Sequence, residues 1–175
     1  MDKTELEQII DMYGNDILSF CHYLTRNRED AEDLFQDVFL VAFRKSDAVQ
    51  FGIQTKSFLL SIAVRRWKNR KRKFAWRKRI TDDRIIPVIE ENRNAEQNNS
   101  DPVNIASTAE IQKIVRNSVD SLPEKLKLPL LLYYMGGMKE REIAEILSIP
   151  LGTVKSRISQ AKEKLSELIT ENYHD

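Results

Sequence analysis

Near the start of its last helical stretch the chain sets Lys155, Ser156, Ser159 and Gln160 pointing away from the apolar positions Val154, Ile158 and Ala161. Hydroxyls and amides can exchange hydrogen bonds with base edges while ammonium and guanidinium groups meet phosphates, so this set suits reading duplex DNA in a groove. Arg157 and Lys162 add cations to the same stretch. A second group lies in RRWKNRKRKFAWRKR, Arg65 to Arg79, where ten cations and no acid surround Trp67, Phe74 and Trp76. Cations bind phosphate and aromatic faces stack on bases taken out of the duplex, a mixture that suits partly single-stranded DNA. The plainer alternative makes the aromatics core and the cations solvated or membrane-facing. Trp67, on the stripe of Phe58, Ile62 and Ala63, is expected in the core. The third group is Asp33, Gln36, Asp37 and Leu40, left outside when Leu34, Val38 and Val41 turn inward. A face both acidic and apolar suits a partner helix, although an acidic face is by default only solvated.

Catalysis finds little material. It would need clustered carboxylates, a metal site or a nucleophile with its base, yet the histidines are only His22 and His174 and no phosphate-binding glycine loop occurs. No enzyme activity, cofactor, metal or small-molecule substrate is expected. The single Cys21, beside Phe20, Tyr23 and Leu24, excludes an intrachain disulfide and reads as a buried packing residue. With no signal peptide, it indicates a reducing, cytoplasmic setting. No apolar run approaches the roughly 20 residues needed to span a bilayer.

The elements that must position these groups read as helices throughout, since apolar residues recur at helical spacing and nowhere alternate. Leu6, Ile9, Ile10 and Tyr13 mark a first helix, and Ile17, Leu18, Cys21 and Leu24 its continuation or a second one. Asn27 reads as an N-cap ahead of a helix with Glu29 and Asp30 in its first turn. Ser46 to Gln54 reads as a loop ending at the cap Thr55, and Phe58, Leu59, Ile62 and Ala63 open a helix that runs into the basic segment. Further on, Ser107 with Glu110 and Ser121 with Glu124 have capping-box spacing, the first before a stripe of Ile111, Ile114, Val115, Val119 and Leu122. Pro129 predicts that the helix within Lys125 to Met135 starts late or kinks. Gly136 and Gly137 break the chain before a short helix, Lys139 to Leu147. The turn Ser148, Ile149, Pro150 follows, then a second helix with Val154, Ile158, Ala161, Leu165 and Leu168 inside. Small Ala144 permits close approach, and Ile149 and Val154 fill the angle, as in a helix-turn-helix.

Charge divides the chain further. The 28 basic and 27 acidic residues nearly cancel overall, but residues 1–60 carry net −5, residues 65–79 net +10, and residues 82–109 net −4. EENRNAEQNNSDP, Glu90 to Pro102, is polar and reads as linker. The expectation is an all-α protein with a domain at 1–81, a flexible linker at 82–106 and a domain at 107–175. About 25 linker residues at about 3.3 Å each could reach about 80 Å, more than two turns of B-DNA at about 35 Å each. The halves could therefore grip separate sites.

The wording of these segments resembles the extracytoplasmic-function (ECF) sigma factors of the sigma-70 family. IAEILSIPLGTVKSRISQAKEKL and the preceding SLPEKLKLPLLLYYMGGM resemble region 4, DAEDLFQDVF resembles regions 2.1 to 2.2, and SFLLSIAVRRWKNRKRK resembles regions 2.3 to 2.4. The resemblance covers roughly Asp16 to Lys73 and Ser121 to Leu168. It implies a sigma factor that binds core RNA polymerase, at the β′ clamp and the β flap, and directs it to a two-part promoter. It also implies −35 reading by Lys155, Ser156, Arg157, Ser159, Gln160 and Lys162. Reading and opening of −10 would fall to Arg65, Arg66, Lys68, Asn69, Arg70 and Arg72, with a flipped base captured near Asp47 to Thr55. Asp33, Gln36, Asp37 and Leu40 would dock polymerase, and the inhibitor would be an anti-sigma factor, often membrane-bound. The chain departs from the family pattern at Phe58, where a Trp is common, at Arg65 and Asn69, at Pro129, and at Ser148, where many helix-turn-helix proteins have Gly. Two rival classes are a helix-turn-helix regulator binding duplex DNA as a dimer, which leaves the acidic face and the aromatic-basic run unexplained, and an enzyme acting on nucleic acid.

Overall fold

The computed structural model describes residues 3–25, 27–45, 52, 54–82 and 106–174, and within them every regular element is an α-helix. In chain order these are α1 (Lys3–Leu24), α2 (Arg28–Arg44), α3 (Thr55–Asp82), α4 (Ala106–Asp120), α5 (Glu124–Tyr134), α6 (Glu140–Leu147) and α7 (Leu151–His174). The chain divides into two compact units, Met1–Glu96 and Gln97–Asp175. The proposed connector at 82–106 lies outside the described residues except for its ends, which are the last residue of α3 and the first of α4.

In the first unit α1, α2 and α3 pack pairwise into a three-helix bundle. The two apolar sets foreseen in the first 24 residues belong to one helix. Its buried side is Ile17, Phe20, Cys21 and Leu24, which meets Ala31, Leu34, Val38 and Ala42 of α2 and Leu59, Leu60, Ala63, Val64 and Trp67 of α3. Asn27 caps α2 as its sequence suggests, its Oδ1 accepting the Asp30 N–H at 2.8 Å. Thr55 differs from expectation. It is the first residue of α3, 2% exposed, and its hydroxyl accepts the Gly52 N–H at 2.8 Å while Gln54 O accepts the first helical bond from Phe58 N–H; residues 46–51 and 53 of the foreseen loop, with most of the expected base-capturing stretch 47–55, lie outside the described residues.

The second unit gathers α4, α5 and α6 around α7. Leu122, Leu126, Leu130 and Ala161 form a cluster against which Leu165 and Leu168 pack. The foreseen capping box at Ser121 does not form, and the side chain of Ser107 lies outside the described residues. Ser107 falls inside α4, which begins a residue earlier, and Ser121 donates its hydroxyl to Asn117 O at 2.9 Å, leaving α5 to start behind Pro123. Ile111, expected on the inner stripe of α4, is 45% exposed. Pro129 sits fully buried inside α5 without delaying its start at Glu124.

The elbow between α6 and α7 is built from backbone. Gly137, at φ +61°, turns the chain after α5, a conformation that L side chains rarely adopt. Glu142 then accepts the Lys139 N–H at 2.7 Å to start α6. α6 ends on Ser148 in the left-handed region, φ 55° and ψ 48°. Ile149 N–H bonds back to Ala144 O at 3.1 Å, and Val154, fully buried, fills the angle. Ser148 thus holds the position where many helix-turn-helix proteins use Gly.

Candidate nucleic-acid and partner-protein surfaces

On α7 the core positions Val154, Ile158 and Ala161 fix which side faces out. At 100° per residue, Ser156, Ser159 and Gln160 are the three of the six foreseen residues that point most directly away from them, and all three are exposed. Gln160 Nε2 donates to Ser156 Oγ at 3.1 Å, which pre-arranges an amide and a hydroxyl one turn apart. Lys155 is exposed on the flank nearer α6, its Nζ 3.9 Å from Glu140 Oε2. Lys162 lies one ridge further along the same flank, over the rings of Tyr133 and Tyr134 at 5.6 and 5.5 Å. The Tyr134 hydroxyl, through its hydrogen bond to Lys162, holds that ammonium above the ordinary lysine range. Arg157 is half-buried on the inner flank. Of the six foreseen residues, then, Lys155, Ser156, Ser159 and Gln160 form the open face, while Lys162 leans on α5 and Arg157 turns toward the core.

The aromatic-basic run is the continuous distal part of α3. Trp67 is 8% exposed, in the core as expected, but on the side of Leu60, Ala63 and Val64 and opposite the half-buried Phe58, with which it does not share a stripe; Lys71 Nζ sits 4.8 Å above its ring. Phe74 and Trp76 are 69% and 65% exposed. The six cations and amides expected to read DNA separate by helix face. Arg65, Lys68, Asn69 and Arg72 are exposed, and Arg72 donates to Asn69 Oδ1 at 3.2 Å. Arg66 and Arg70 are half-buried against the bundle.

Arg70 is engaged with another foreseen residue, for its guanidinium donates to Asp37 Oδ2 of α2 at 2.7 Å. Asp37, placed on the outer face by sequence, is therefore a bundle residue in part. Asp33, Gln36 and Leu40 remain exposed, Leu40 at 54%. Phe43, 44% exposed and one turn beyond Leu40, joins that surface. Sequence reasoning missed it, although the i, i+3 spacing of Leu40 and Phe43 outside the stripe Leu34, Val38, Ala42 is a readable signal. Arg70 also faces Cys21, whose thiol burial pushes up to about 12, the nearby guanidinium opposing that rise.

Among the described residues no group of three or more His, Cys, Asp or Glu side chains could hold a metal ion, and no helix is long and apolar enough to cross a membrane.

Comparison with known proteins agrees with this geometry. Residues 9–77 match the family model for sigma-70 region 2 and residues 112–165 that for sigma-70 region 4. The ECF RNA polymerase sigma-E factor of Haemophilus influenzae is 30% identical over 172 residues, spanning 96% of this chain and 89% of its own. The Escherichia coli K12 protein of the same name is 32% identical over 141 residues, 80% of this chain and 74% of its own. In fold, the sigma factor RpoE of Bartonella quintana, solved with the anti-sigma factor NepR, matches at a TM-score of 0.69 and 22% identity, covering 95% of this chain and 97% of that one. CnrH, solved with the cytosolic domain of CnrY, matches at 0.61 and 17%, covering 97% and 90%. The chain belongs to the ECF sigma factors of the sigma-70 family. It is an alternative sigma factor, binding core RNA polymerase and directing it to specific promoters for transcription initiation.

Proposed function

We propose that residues 107–175 read the −35 element and residues 1–81 dock the polymerase clamp and read and open −10, with residues 82–106 as the flexible link. The observation that carries this is the open polar face at the start of α7, where Lys155, Ser156, Ser159 and Gln160 stand exposed behind a backbone-built elbow. A helix presented this way enters a major groove with its first turns toward base edges. Ser156, Ser159 and Gln160 contact bases, Lys155 contacts phosphate, and Arg157 and Lys162 act from the flanks. On α3 the exposed Arg65, Lys68, Asn69 and Arg72 meet −10 DNA directly, and Arg66 and Arg70 act from the edge of the bundle. Asp33, Gln36 and Leu40, with Asp37 beside them, dock the β′ clamp, and the C-terminal unit meets the β flap. The chemistry of RNA synthesis stays with the polymerase, so the chain works as a specificity subunit in the cytoplasm and takes no cofactor. Its inhibitor is an anti-sigma factor, the class of partner that NepR is in its complex with the Bartonella quintana sigma factor.

Run-off transcription with core polymerase and genomic promoter fragments tests the reading. Gln160→Ala and Lys155→Ala reduce initiation at −35-dependent promoters while polymerase pull-down stays intact. Leu40→Ala, which adds no charge beside the Asp37–Arg70 pair, weakens pull-down. Strong promoter binding without polymerase would instead favour a stand-alone regulator.

A further inference from the structure

Over its first three turns the outward face of α7 is uncharged at its centre. Of the cations beside it, Lys155 turns toward α6, with Nζ 3.9 Å from Glu140 Oε2, Arg157 is half-buried on the inner flank, and Lys162 lies over Tyr133 and Tyr134. Lys164 comes a turn further from the end of the helix that enters the groove. Between the flanks stand Ser156, Ser159 and Gln160, two hydroxyls and one amide, all exposed. The guanidinium and ammonium groups that pair most often with guanine therefore have no place at the centre of these turns. Gln160 is held there, because its Nε2 donates to Ser156 Oγ at 3.1 Å across one turn. A side-chain amide carries two N–H donors and a carbonyl oxygen with two lone pairs. With one N–H given to Ser156, the other N–H and Oε1 remain, in the plane of the amide.

We propose that Gln160, positioned by Ser156, reads an adenine in the −35 element and makes this chain select adenine over guanine at that one base pair. This rests on the reading of α7 as the −35 helix and names the base that it takes. In the major groove adenine presents N7 as an acceptor beside the N6 amino donor, and the remaining N–H and Oε1 of Gln160 match both at once. Guanine presents two acceptors, N7 and O6, so Oε1 would face O6 with no proton between them. Thymine offers one acceptor and a methyl group, and cytosine one donor, so each leaves half of the amide unpaired. Selection thus comes from exclusion as well as attraction. The bond to Ser156 lowers the cost of ordering a long side chain, since the base alone need not immobilise Gln160. Ser159, a single hydroxyl that can give or accept, adds contact without choosing a base.

The test uses holoenzyme assembled with the full chain and a set of fragments of one promoter, each −35 base pair changed in turn to the other three. Ser156 and Gln160 are exposed, so their substitution leaves the core of the unit untouched. The unsubstituted chain should bind adenine at one position roughly tenfold or more tighter than guanine. Gln160→Ala should bring that ratio close to one without changing preferences at other positions, and Gln160→Arg should reverse it toward guanine. Ser156→Ala should shrink the ratio, while Ser156→Thr, which keeps the hydroxyl, preserves it. An equal loss on every fragment with Gln160→Ala overturns the proposal, as does loss of a preference for any base other than adenine, or an undiminished ratio with Ser156→Ala. Lys155→Ala is the control for the underlying reading, because loss of a phosphate contact weakens all fragments alike and lowers the salt slope by about one. If Lys155→Ala behaves so and Gln160→Ala alters no preference, only the adenine assignment falls; if neither variant affects any fragment, the −35 assignment of α7 falls with it.

Discussion

The Asp37–Arg70 pair joins the helix proposed to dock polymerase to the helix proposed to meet −10 DNA, and its strength can be worked from its geometry. The charged atoms lie 2.7 Å apart and each side chain is 37% exposed. Two unit charges about 4 Å apart at an effective dielectric near 20 attract by about 4 kcal/mol before any opposing term. Losing part of two hydration shells and screening by the open third of each side chain leave a net coupling of about 1 kcal/mol. A double-mutant cycle with Asp37→Asn, Arg70→Gln and the pair measures it directly. Urea denaturation followed by tryptophan fluorescence reports the first unit alone, because Trp67 and Trp76, the two tryptophans of the chain, both lie on α3. Each single variant is expected to unfold at lower urea, and the double variant to lose about 1 kcal/mol less than the sum of the two. A coupling below about 0.2 kcal/mol would refute the pair as a brace and leave both side chains as independent surface charges.

Three further outcomes are expected. Ser148→Gly relieves a left-handed residue at an exposed elbow, so the C-terminal unit should gain about 1 kcal/mol by thermal unfolding; a loss would mean that the serine side chain itself supports the turn. Gly14→Ala should also stabilise, by about 0.5–1 kcal/mol, because a Cβ there meets Ile10 and Phe35 at the ordinary contact distances of 3.4 and 3.8 Å and the helix interior loses a glycine. For Cys21 the folded thiol titrates at about 12 against 9.0 for the free group, so the unfolded chain releases its proton first as pH rises. Its contribution is full below pH 9.0 and falls between 9.0 and about 12 by up to about 1.4 kcal/mol per pH unit. Cys21→Ala should flatten that alkaline decline, and iodoacetamide at pH 8 should label Cys21 only on unfolding.

Helix identity was readable because the apolar spacing of 3.6 survives in α1, α2 and α7, and because Asn27 caps through its own side chain. Trp67 could be assigned to the core because it lies one turn beyond the buried Ala63. What escaped was decided by partners distant in sequence or by backbone. Asp37 and Arg70 are 33 residues apart, and only the crossing of α2 and α3 brings them together. Thr55 has the side chain of a cap, yet the Gly52 N–H claims its hydroxyl. Lys162 reads as a free cation on a recognition helix until α5 sets Tyr133 and Tyr134 beneath it. The different sides of α3 taken by Phe74 and Trp76 were within reach of helical periodicity, but a run of ten cations reads as one block and conceals its faces.

α3 is packed over its first half by α1 and α2, while every residue from Lys71 to Arg79 is exposed. Mechanically it is a rod clamped at one end. The 12 residues from Arg70 to Asp82 extend about 18 Å at about 1.5 Å each, so a tilt of about 5° at the clamp moves the tip by about 1.6 Å. A packing change in the bundle, too small to alter its core contacts, would thus displace the tip by half the length of a hydrogen bond.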